Sequence, residues 1–398
     1  MLTPEAALER LLAQVGPTSS ERVSLTDALG RVPVDVPLVA EHDVPPFANS
    51  AMDGYAVLSG EADAERRVIG ESRAGGPSPP AVEPGTAVRI MTGAPMPRGT
   101  DAVIPIEDAS EADGRVRFTA APGPGAHVRA AGHDVLRGTG VRLGREPITS
   151  ATIGLAAALG CATLEVHRRP RVAILSTGDE LTPVGAPLKL GHIHDANGPA
   201  IAAAVTEAGG EPILLEPAGD DADVIEARVR EGLERADLLL VSGGVSVGAH
   251  DHVRGVIERL GTLGFWRIAV QPGKPLAFGR IGEHPVIGLP GNPVSALVTF
   301  ELFVRPMLRR MLDLAGDGRP RMRARLDEAI GTDIDRRTYL RVRVETDGNE
   351  YRASSAGGQQ SSQLLPLASA NALLVVPEGV AASVPGTVYE TILLGAVD

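Results

Sequence analysis

The sequence predicts an α/β chain carrying separate β domains, on three observations. From Arg169 onward, apolar runs alternate with amphipathic stretches: RPRVAILSTGDEL, ANGPAIAAAVTEAGG, EPILLEP, DADVIEARVREGLERA and DLLLVSGG. That strand–helix alternation implies a parallel sheet with right-handed crossovers. Residues 56–130 instead string short apolar runs such as AVRIMTGAPMP and DAVIPIED between glycines and prolines, which implies a small β domain. After Gly316 short strand patterns return in TYLRVRVE, YRASSAG and ALLVVPEG, and a barrel-like C-terminal β domain is the simplest reading.

In chain order, Thr3-Pro4-Glu5 starts a helix whose apolar face is Ala6, Leu8, Leu11, Leu12 and Val15, and Gly16-Pro17 ends it. Residues 23–39 read as short connecting segments broken by Pro33 and Pro37. In PPFANSAMDGYAV, Asp53-Gly54 precedes a strand and by itself equally suits a hairpin turn. Thr92-Gly93 follows a strand, so its hydroxyl and amides face a ligand or merely close a turn. Arg129 and Asp134 sit near the exit from this region. Residues 147–160, PITSATIGLAAALG, form an apolar helix with Pro near its start and Gly at its end. Within the alternating region polar residues gather at the strand exits: Thr177, Asp179 and Glu180; Asp220 and Asp221; then Ser242 to Asp251. Ligands of open α/β sheets bind at that edge, although some of these acids must be ordinary helix caps such as Asp221. Two further strands flank QPGKP, with Gly273 and Lys274, and GLPGNPVSALVTFELFV passes through a turn into a long helix that Pro306 is expected to kink.

Residues 237–252, DLLLVSGGVSVGAHDH, are a buried strand emptying into a glycine turn that opens a helix. Gly243 and Gly244 permit unusual backbone angles, and Ser246 suits a helix cap or an anion contact. Unpaired amides and a helix dipole suit phosphate. Asp251, three residues past Gly248, repels such a ligand unless a cation lies between, which points to phosphate, magnesium and acid together. A glycine pair required only for packing is the alternative. The spacing matches neither GxGxxG nor the P-loop.

Composition narrows the function. Net charge is −12, which excludes a generic nucleic-acid binder, and 3% aromatic residues exclude base-stacking platforms. The lone Cys161, among apolar neighbours, reads as an inert buried thiol and excludes an internal disulfide. No apolar run reaches the ~18 residues of a membrane span, so a cytoplasmic protein is expected, without membrane or nucleic-acid partners. His192-x-His194 and His250-x-His252 invite a zinc reading, but no Cys or HExxH pattern accompanies them. Only Lys189 and Lys274 are lysines. In so arginine-rich a chain, the PGKP lysine suggests a need for a compact ammonium, which meets a tetrahedral oxyanion end-on.

NSAMDGYAV, RIMTGAPMP, STGDEL, HDANGPAI, SGGVSVGAHD, PGKPLAFG and GLPGNPVSA occur in this order, and together they closely resemble the molybdopterin molybdenumtransferase (MoeA) family, which includes the gephyrin E domain. The resemblance runs from about residue 3 to the C-terminus. It is most specific over 169–300 and thin after 316. It implies insertion of molybdate into adenylylated molybdopterin, with loss of AMP and dependence on Mg2+. It implies four parts: an elongated connecting domain (1–43 and 134–168), a small β domain (44–133), an α/β molybdopterin-binding domain similar to MoaB and MogA (169–315), and the C-terminal β domain (316–398). It also implies a homodimer whose pocket is shared between subunits, with the molybdopterin adenylyltransferase and apo-molybdoenzymes as further partners.

On this resemblance the catalytic candidates are Asp53, Asp134, Glu180, Asp220, Asp251 and Lys274, of which Asp53, Asp220 and Asp251 are the metal candidates. Substrate-binding candidates are Thr92, Arg129, Thr177, Gly178, Ser242, Gly243, Gly244, Ser246, Gly248, Gly273, Pro290, Gly291, Asn292, Pro293 and Ser295. Gln271 stands where many relatives carry lysine, so oxyanion affinity is expected to rest more on Lys274 and on an arginine such as Arg267 or Arg341. Molybdopterin adenylylation and a non-catalytic molybdate or pterin scaffold are the rival functions. The acids weigh against a scaffold, and the flanking domains weigh against adenylylation. GLPGNPVSA and the β regions also weigh against a nucleotide pyrophosphatase of the competence-damage type, which shares the STGDEL domain.

Overall fold

The computed structural model describes residues 1–61, 65–244, 252–314, 316 and 318–397. They form two compact units, one made of residues 1–21 with 166–398 and the other of residues 22–165. The first unit opens with α1 (Pro4–Leu12). Thr3 caps it by accepting a hydrogen bond from the Ala6 amide at 3.2 Å, and Pro4 stands where a missing N–H costs nothing. Ala7 and Leu11 on its inner face are fully buried. For Leu11 that burial contributes ~1.5–3 kcal/mol.

The second unit holds a six-stranded sheet of β1 (Gly54–Val57), β2 (Glu65–Ser72), β3 (Thr86–Ile90), β4 (Ala102–Pro105), β5 (Ala109–Ala112) and β6 (Arg115–Phe118), in the order β4-β1-β3-β2-β6-β5. Asp53-Gly54 is not a hairpin turn. Gly54 is the first residue of β1, where any Cβ would overlap the Ile104 carbonyl oxygen on the neighbouring strand. Only glycine lets the two backbones approach so closely. The apolar stretch at 147–160 yields α2 (Ser150–Ala158), whose start is fixed by a reciprocal cap between Thr149 and Thr152. Cys161, expected buried, is half-buried, and burial together with nearby Glu41 raises its thiol pKa above the usual range.

In the first unit the alternating segment gives β7 (Arg171–Ser176), α3 (Asn197–Glu207), β8 (Glu211–Leu214), α4 (Ala222–Arg235), β9 (Leu238–Ser242), α5 (His252–Leu260), β10 (Thr262–Arg267), β11 (Val270–Gln271), β12 (Pro275–Ile281) and β13 (His284–Leu289). The sheet order is β8-β7-β9-β13-β12-β10. Its first four strands are parallel, as expected, but β12 runs antiparallel to both its neighbours, β13 and β10, so the sheet is mixed. The two-residue connection Gly282-Glu283 requires the reversal, since a parallel crossover needs a dozen residues or more. Strand parity sorts the two cores. Val172, Ile174, Leu238 and Leu240 face α1 and α3, whereas Ala173, Leu175, Leu239 and Val241 face α4 and α5.

The long helix is α6 (Pro293–Thr299), a π-helical segment (Phe300–Val304) and α7 (Arg305–Met311). Pro306 does not break it. The wider turn lies just before the proline, where a helix absorbs the missing donor and the bulk of the ring. β14 (Arg321–Leu326), β15 (Arg337–Asp347), β16 (Glu350–Ser355), β17 (Ala372–Val376) and β18 (Val388–Leu393) then close on themselves in the ring β15-β16-β14-β18-β17-β15, a five-stranded barrel. Leu326, Leu340, Val342, Val344 and Leu374 fill it. β11 pairs in parallel with β15, Gln271 opposite Thr338, which ties the PGKP turn to the barrel.

Candidate functional site

In the second unit Asp53 and Thr92, 39 residues apart, are brought together. Asp53 Oδ1 accepts hydrogen bonds from the Thr92 amide and from Thr92 Oγ1, both at 2.7 Å. The amide bond first and the hydroxyl second hold this exposed carboxyl below its ordinary pKa. Three large apolar side chains stay in solvent beside or near the pair in sequence: Phe47, Met91 and Ile106 are 46%, 44% and 51% exposed. Arg129 lies on a two-residue strand opposite Asn49, on the segment leading to Asp53. Asp134 is exposed, its amide donating to the Val44 carbonyl, and no hydrogen bond joins it to Asp53 or Thr92.

In the first unit the exits of β7 and β9 meet the turn before α6 in a cleft of ≈ 80 Å³. Ser176, Thr177, Glu180, Ser242, Gly243, Gly291 and Pro293 line it, so predicted residues from three stretches do converge. Gly243 has φ +90°, and a Cβ there would sit 2.5 Å from the Thr177 carbonyl oxygen, so the close packing of the two exits demands glycine. Gly178 and Gly244 occupy the same exits. Asp220 is exposed at the exit of β8, its amide donating to Asp179 Oδ1 at 2.9 Å, whereas Asp221 caps α4. Ser246, Gly248, His250 and Asp251 lie outside the described residues.

Sequence reasoning missed two residues of this cleft as site candidates. Asp195, 9% exposed, accepts through Oδ1 from the amides of Asn197 and Gly198, both at 3.0 Å, at the start of α3. Asn197 Nδ2 donates to Ser242 Oγ at 2.7 Å and to the Gly291 carbonyl at 2.8 Å, locking one strand exit to the PGNP turn. The Asp-x-Asn pattern opening a helix was the available signal.

The third group surrounds the PGKP turn. Its loop is closed by the Ile268 amide donating to the Lys274 carbonyl at 2.9 Å, and Thr338 Oγ1 donates to Gln271 Oε1 at 3.2 Å. Lys274 is exposed, Gly273 is buried against Thr299 Oγ1, and Ser295 is buried. Pro290, Gly291, Asn292 and Pro293 lead into α6, and the Val294 amide donates to the Ser361 carbonyl at 3.1 Å. The barrel loop that carries Ser361 also meets Arg341. That guanidinium is 1% exposed, and its contacts are long: Tyr339 carbonyl at 3.5 Å, Gly358 carbonyl at 3.5 Å and Gln360 carbonyl at 3.4 Å. Its Nε has no partner, and among the described residues no carboxylate pairs with it. Burial pushes its pKa down to about 10. Arg337, on the same face of β15, is instead paired with Glu5 and Glu378. Arg267, the other arginine considered, is exposed at the end of β10.

A larger cavity, ≈ 600 Å³, opens between α1, α7 and the outer barrel strands. No predicted site residue lines it. Its arginines are already neutralised: Arg319 by Glu301, Arg321 by Glu390 and Arg337 by Glu5. Among the described residues, no group of three or more His, Cys, Asp or Glu is clustered to hold a metal.

Comparison with known proteins identifies the arrangement. The chain is 39% identical over 378 residues to molybdopterin molybdenumtransferase 2 of Mycobacterium tuberculosis, covering 92% of this chain and 93% of the relative. This chain belongs to the MoeA family. Three family models divide it: the MoeA N-terminal region (domains I and II) at 2–160, a probable molybdopterin binding domain at 173–310, and the MoeA C-terminal region (domain IV) at 323–394. The molybdopterin molybdenumtransferase of Haemophilus influenzae is 40% identical over 315 residues, 78% of each chain. A crystal structure of the molybdopterin biosynthesis MoeA protein from Pyrococcus horikosii matches with TM-score 0.84 and 33% identity over all of both chains. Within this MoeA fold the α/β domain and the closed five-stranded barrel are the parts that carry the cleft and the buried arginine.

Proposed function

We propose that this protein inserts molybdate into the dithiolene of adenylylated molybdopterin and releases AMP. One observation carries the reading: regions matching the N-terminal, molybdopterin-binding and C-terminal MoeA models lie together in one chain. An adenylyltransferase needs only the middle one, so the sibling step is the weaker reading. The deciding assay incubates the protein with adenylylated molybdopterin, Mg2+ and molybdate. AMP release coupled to activation of an apo-molybdoenzyme is expected, and no AMP above a protein-free control would overturn the proposal.

The roles follow from chemistry. Molybdate is a dianion, and the buried, carboxylate-free Arg341 supplies fixed positive charge in a water-poor place, where a charge-assisted bond is strongest. Lys274, on a turn tied to the same barrel strand, suits the second cation. Asp53, Asp220 and, outside the described residues, Asp251 offer the hard oxygen donors that Mg2+ takes. On Asp53, Thr92 occupies Oδ1 and no described hydrogen bond takes Oδ2, so the donor set fits. Mg2+ bound there would neutralise charge on the pyrophosphate. Glu180, Ser242 and Asn197 hold the strand-exit cleft in shape for the pterin nucleotide.

Thr92 then sets the pH range. In Thr92→Val the hydroxyl bond to Asp53 is lost while the amide bond stays, so the Asp53 pKa rises. The acidic limb of AMP release is expected to move to higher pH with the neutral plateau little changed. Superimposable profiles would remove Asp53 from the reaction.

We further propose a cytoplasmic homodimer in which Asp53 of one subunit serves the cleft of the other. The exposed Phe47, Met91, which precedes Thr92, and Ile106, whose amide donates to the Asp53 carbonyl at 3.0 Å, suit burial against a partner. No helix of the described residues is long and apolar enough to cross a membrane. A two-fold pair has two equivalent pockets. Mixing inactive Asp53→Ala with inactive Asp251→Ala is therefore expected to restore about a quarter of wild-type activity if subunits exchange at random, because half the dimers carry one intact pocket. No recovery despite demonstrated exchange would argue for a site within one chain. The molybdopterin adenylyltransferase would supply the substrate, and apo-molybdoenzymes would take the product.

A further inference from the structure

We infer that the loop at 183–192 is a clasp for the pterin nucleotide: it folds over the mouth of the strand-exit cleft, and Lys189 at its tip pairs with the nucleotide's phosphates. The inference rests on the molybdopterin reading above and adds to it a binding residue that stands outside the cleft. The need for one follows from the charges. Glu180 and Asp195 are the carboxylates that line the cleft, and no lysine or arginine lines it. At ≈ 80 Å³ the cleft is far smaller than the ~300–1,000 Å³ of a site that encloses a whole ligand, so the phosphates and the adenosine lie beyond its rim. The two acids repel those phosphates, and Mg2+ offsets only part of their charge. A protein cation must come from outside the cleft.

The loop begins and ends on the wall of the cleft. Leu181 and Thr182 pair in parallel with Ile193 and His194; the Ile193 amide donates to the Glu180 carbonyl at 2.9 Å, and the Asp195 amide to the Thr182 carbonyl at 3.2 Å. Glu180, Leu181, Ile193, His194 and Asp195 themselves line the cleft. Compact loops whose ends meet in this way are frequently functional. Ten residues, 183–192, lie between the paired ends, and half of them extended reach roughly 17 Å, enough to carry the tip across the mouth. Gly185 and Gly191, at φ +90° and +86°, stand near the two ends with open space where a Cβ would lie, so backbone angles can change there without a clash. At the tip Val184, Leu188 and Leu190 are 70%, 52% and 104% exposed, an apolar cluster of the kind that marks a contact surface. Between the leucines stands Lys189, one of two lysines in the chain, whose ammonium has no carboxylate partner among the described residues. A lysine is a compact charge on a flexible stem, suited to phosphates that the loop must meet as it closes. Closure brings that charge to the phosphates and lays the leucines on a ring face of the nucleotide. A partner protein could cover the same side chains, but it would not account for a loop whose two ends are the cleft wall.

The scarcity of lysine supplies the test. A lysine-specific endoproteinase is expected to cut the free full-length protein after Lys189, giving fragments 1–189 and 190–398, because the other lysine precedes Pro275 and is a poor cleavage site. Saturation with adenylylated molybdopterin and Mg2+, its binding followed separately by co-elution of pterin fluorescence, is expected to slow that cut at least about tenfold. Inorganic pyrophosphate has no ring to anchor in the cleft and is expected to give no protection. An uncut free protein, an equal rate with the nucleotide bound, or equal protection by pyrophosphate would overturn the clasp. Protection by an apo-molybdoenzyme but not by the nucleotide would overturn it in favour of a docking surface. Kinetics give a second reading. Lys189→Ala is expected to raise the KM for adenylylated molybdopterin roughly tenfold with kcat nearly kept, and Lys189→Arg to recover most of that loss. Leu188→Ser combined with Leu190→Ser is expected to raise the KM about threefold at an unchanged melting temperature, since both side chains already face water. Wild-type KM in Lys189→Ala would remove the lysine from the phosphates. AMP release separates the two claims: nucleotide bound without protection sinks the clasp alone, whereas protection without AMP release sinks the transferase reading alone.

Discussion

Arg341→Met is expected to raise the KM for molybdate roughly 100-fold while leaving the protein as stable as before or more so. The two halves of that result have one cause. An arginine that is 1% exposed, with an unpaired Nε and only long contacts to carbonyls, weakens the resting fold, because its charge has left water without finding a counterion. Methionine fills similar space without charge, so the denaturant midpoint should hold or rise. A bound oxyanion is the counterion the site lacks, and losing one partner of a desolvated charge pair costs ~2–5 kcal/mol of binding. Molybdate titrations of AMP release and urea unfolding of the same variant provide the check. A stability loss with unaltered molybdate dependence would make Arg341 a strut for the 358–360 loop.

Glu301→Gln is expected to destabilise the first unit by about 3 kcal/mol near neutral pH. Both carboxylate oxygens of Glu301 accept bonds, from Arg305 at 2.7 and 3.0 Å and from Arg319 at 2.9 and 2.9 Å, and its side chain is 12% exposed. The amide leaves the buried Arg305 with only the exposed Glu207, a pair of little worth. Burial pushes the Glu301 carboxyl pKa upward, but Arg319 and Arg305 outweigh it and hold the group below the ordinary range. A depressed carboxylate stabilises fully above its unfolded pKa of ~4.3 and loses that contribution as pH falls through the folded value. The gap between wild type and variant in urea unfolding should therefore be constant at neutral pH and narrow below about pH 4. A gap that is equal at pH 7 and pH 3 would show that the loss is not electrostatic.

Much of the fold was legible because periodicity reports burial directly. Val172 to Leu175 and Leu238 to Val241 alternate between two cores, as a strand covered on both faces must. Strand direction is a different matter, since the reversed β12 has the same apolar look as the parallel strands of the sheet. Only the short Gly282-Glu283 link between two apolar runs signalled the reversal. The site was less legible. Asp53 and Thr92 meet across 39 residues, a distance that no local spacing encodes. Arg341 and Arg343 share one face of β15 in any reading of TYLRVRVE, yet the first is buried and the second 47% exposed, because the 358–361 loop covers one end of that face. What buries a charge is a segment arriving from elsewhere in the chain, and alternation along one strand carries no trace of it.

The place of α1 has a consequence for how the molecule is made on the ribosome. Its Ala7 and Leu11 join a core with Phe303, Val304 and Met307, translated about 290 residues later. At ~5–20 residues per second the nascent helix waits roughly 15–60 s for those partners. Residues 22–165 form a unit of their own, and its whole length of chain is available once Glu165 has emerged. Maturation is thus expected to run from the inserted unit outward, with α1 among the last elements to dock.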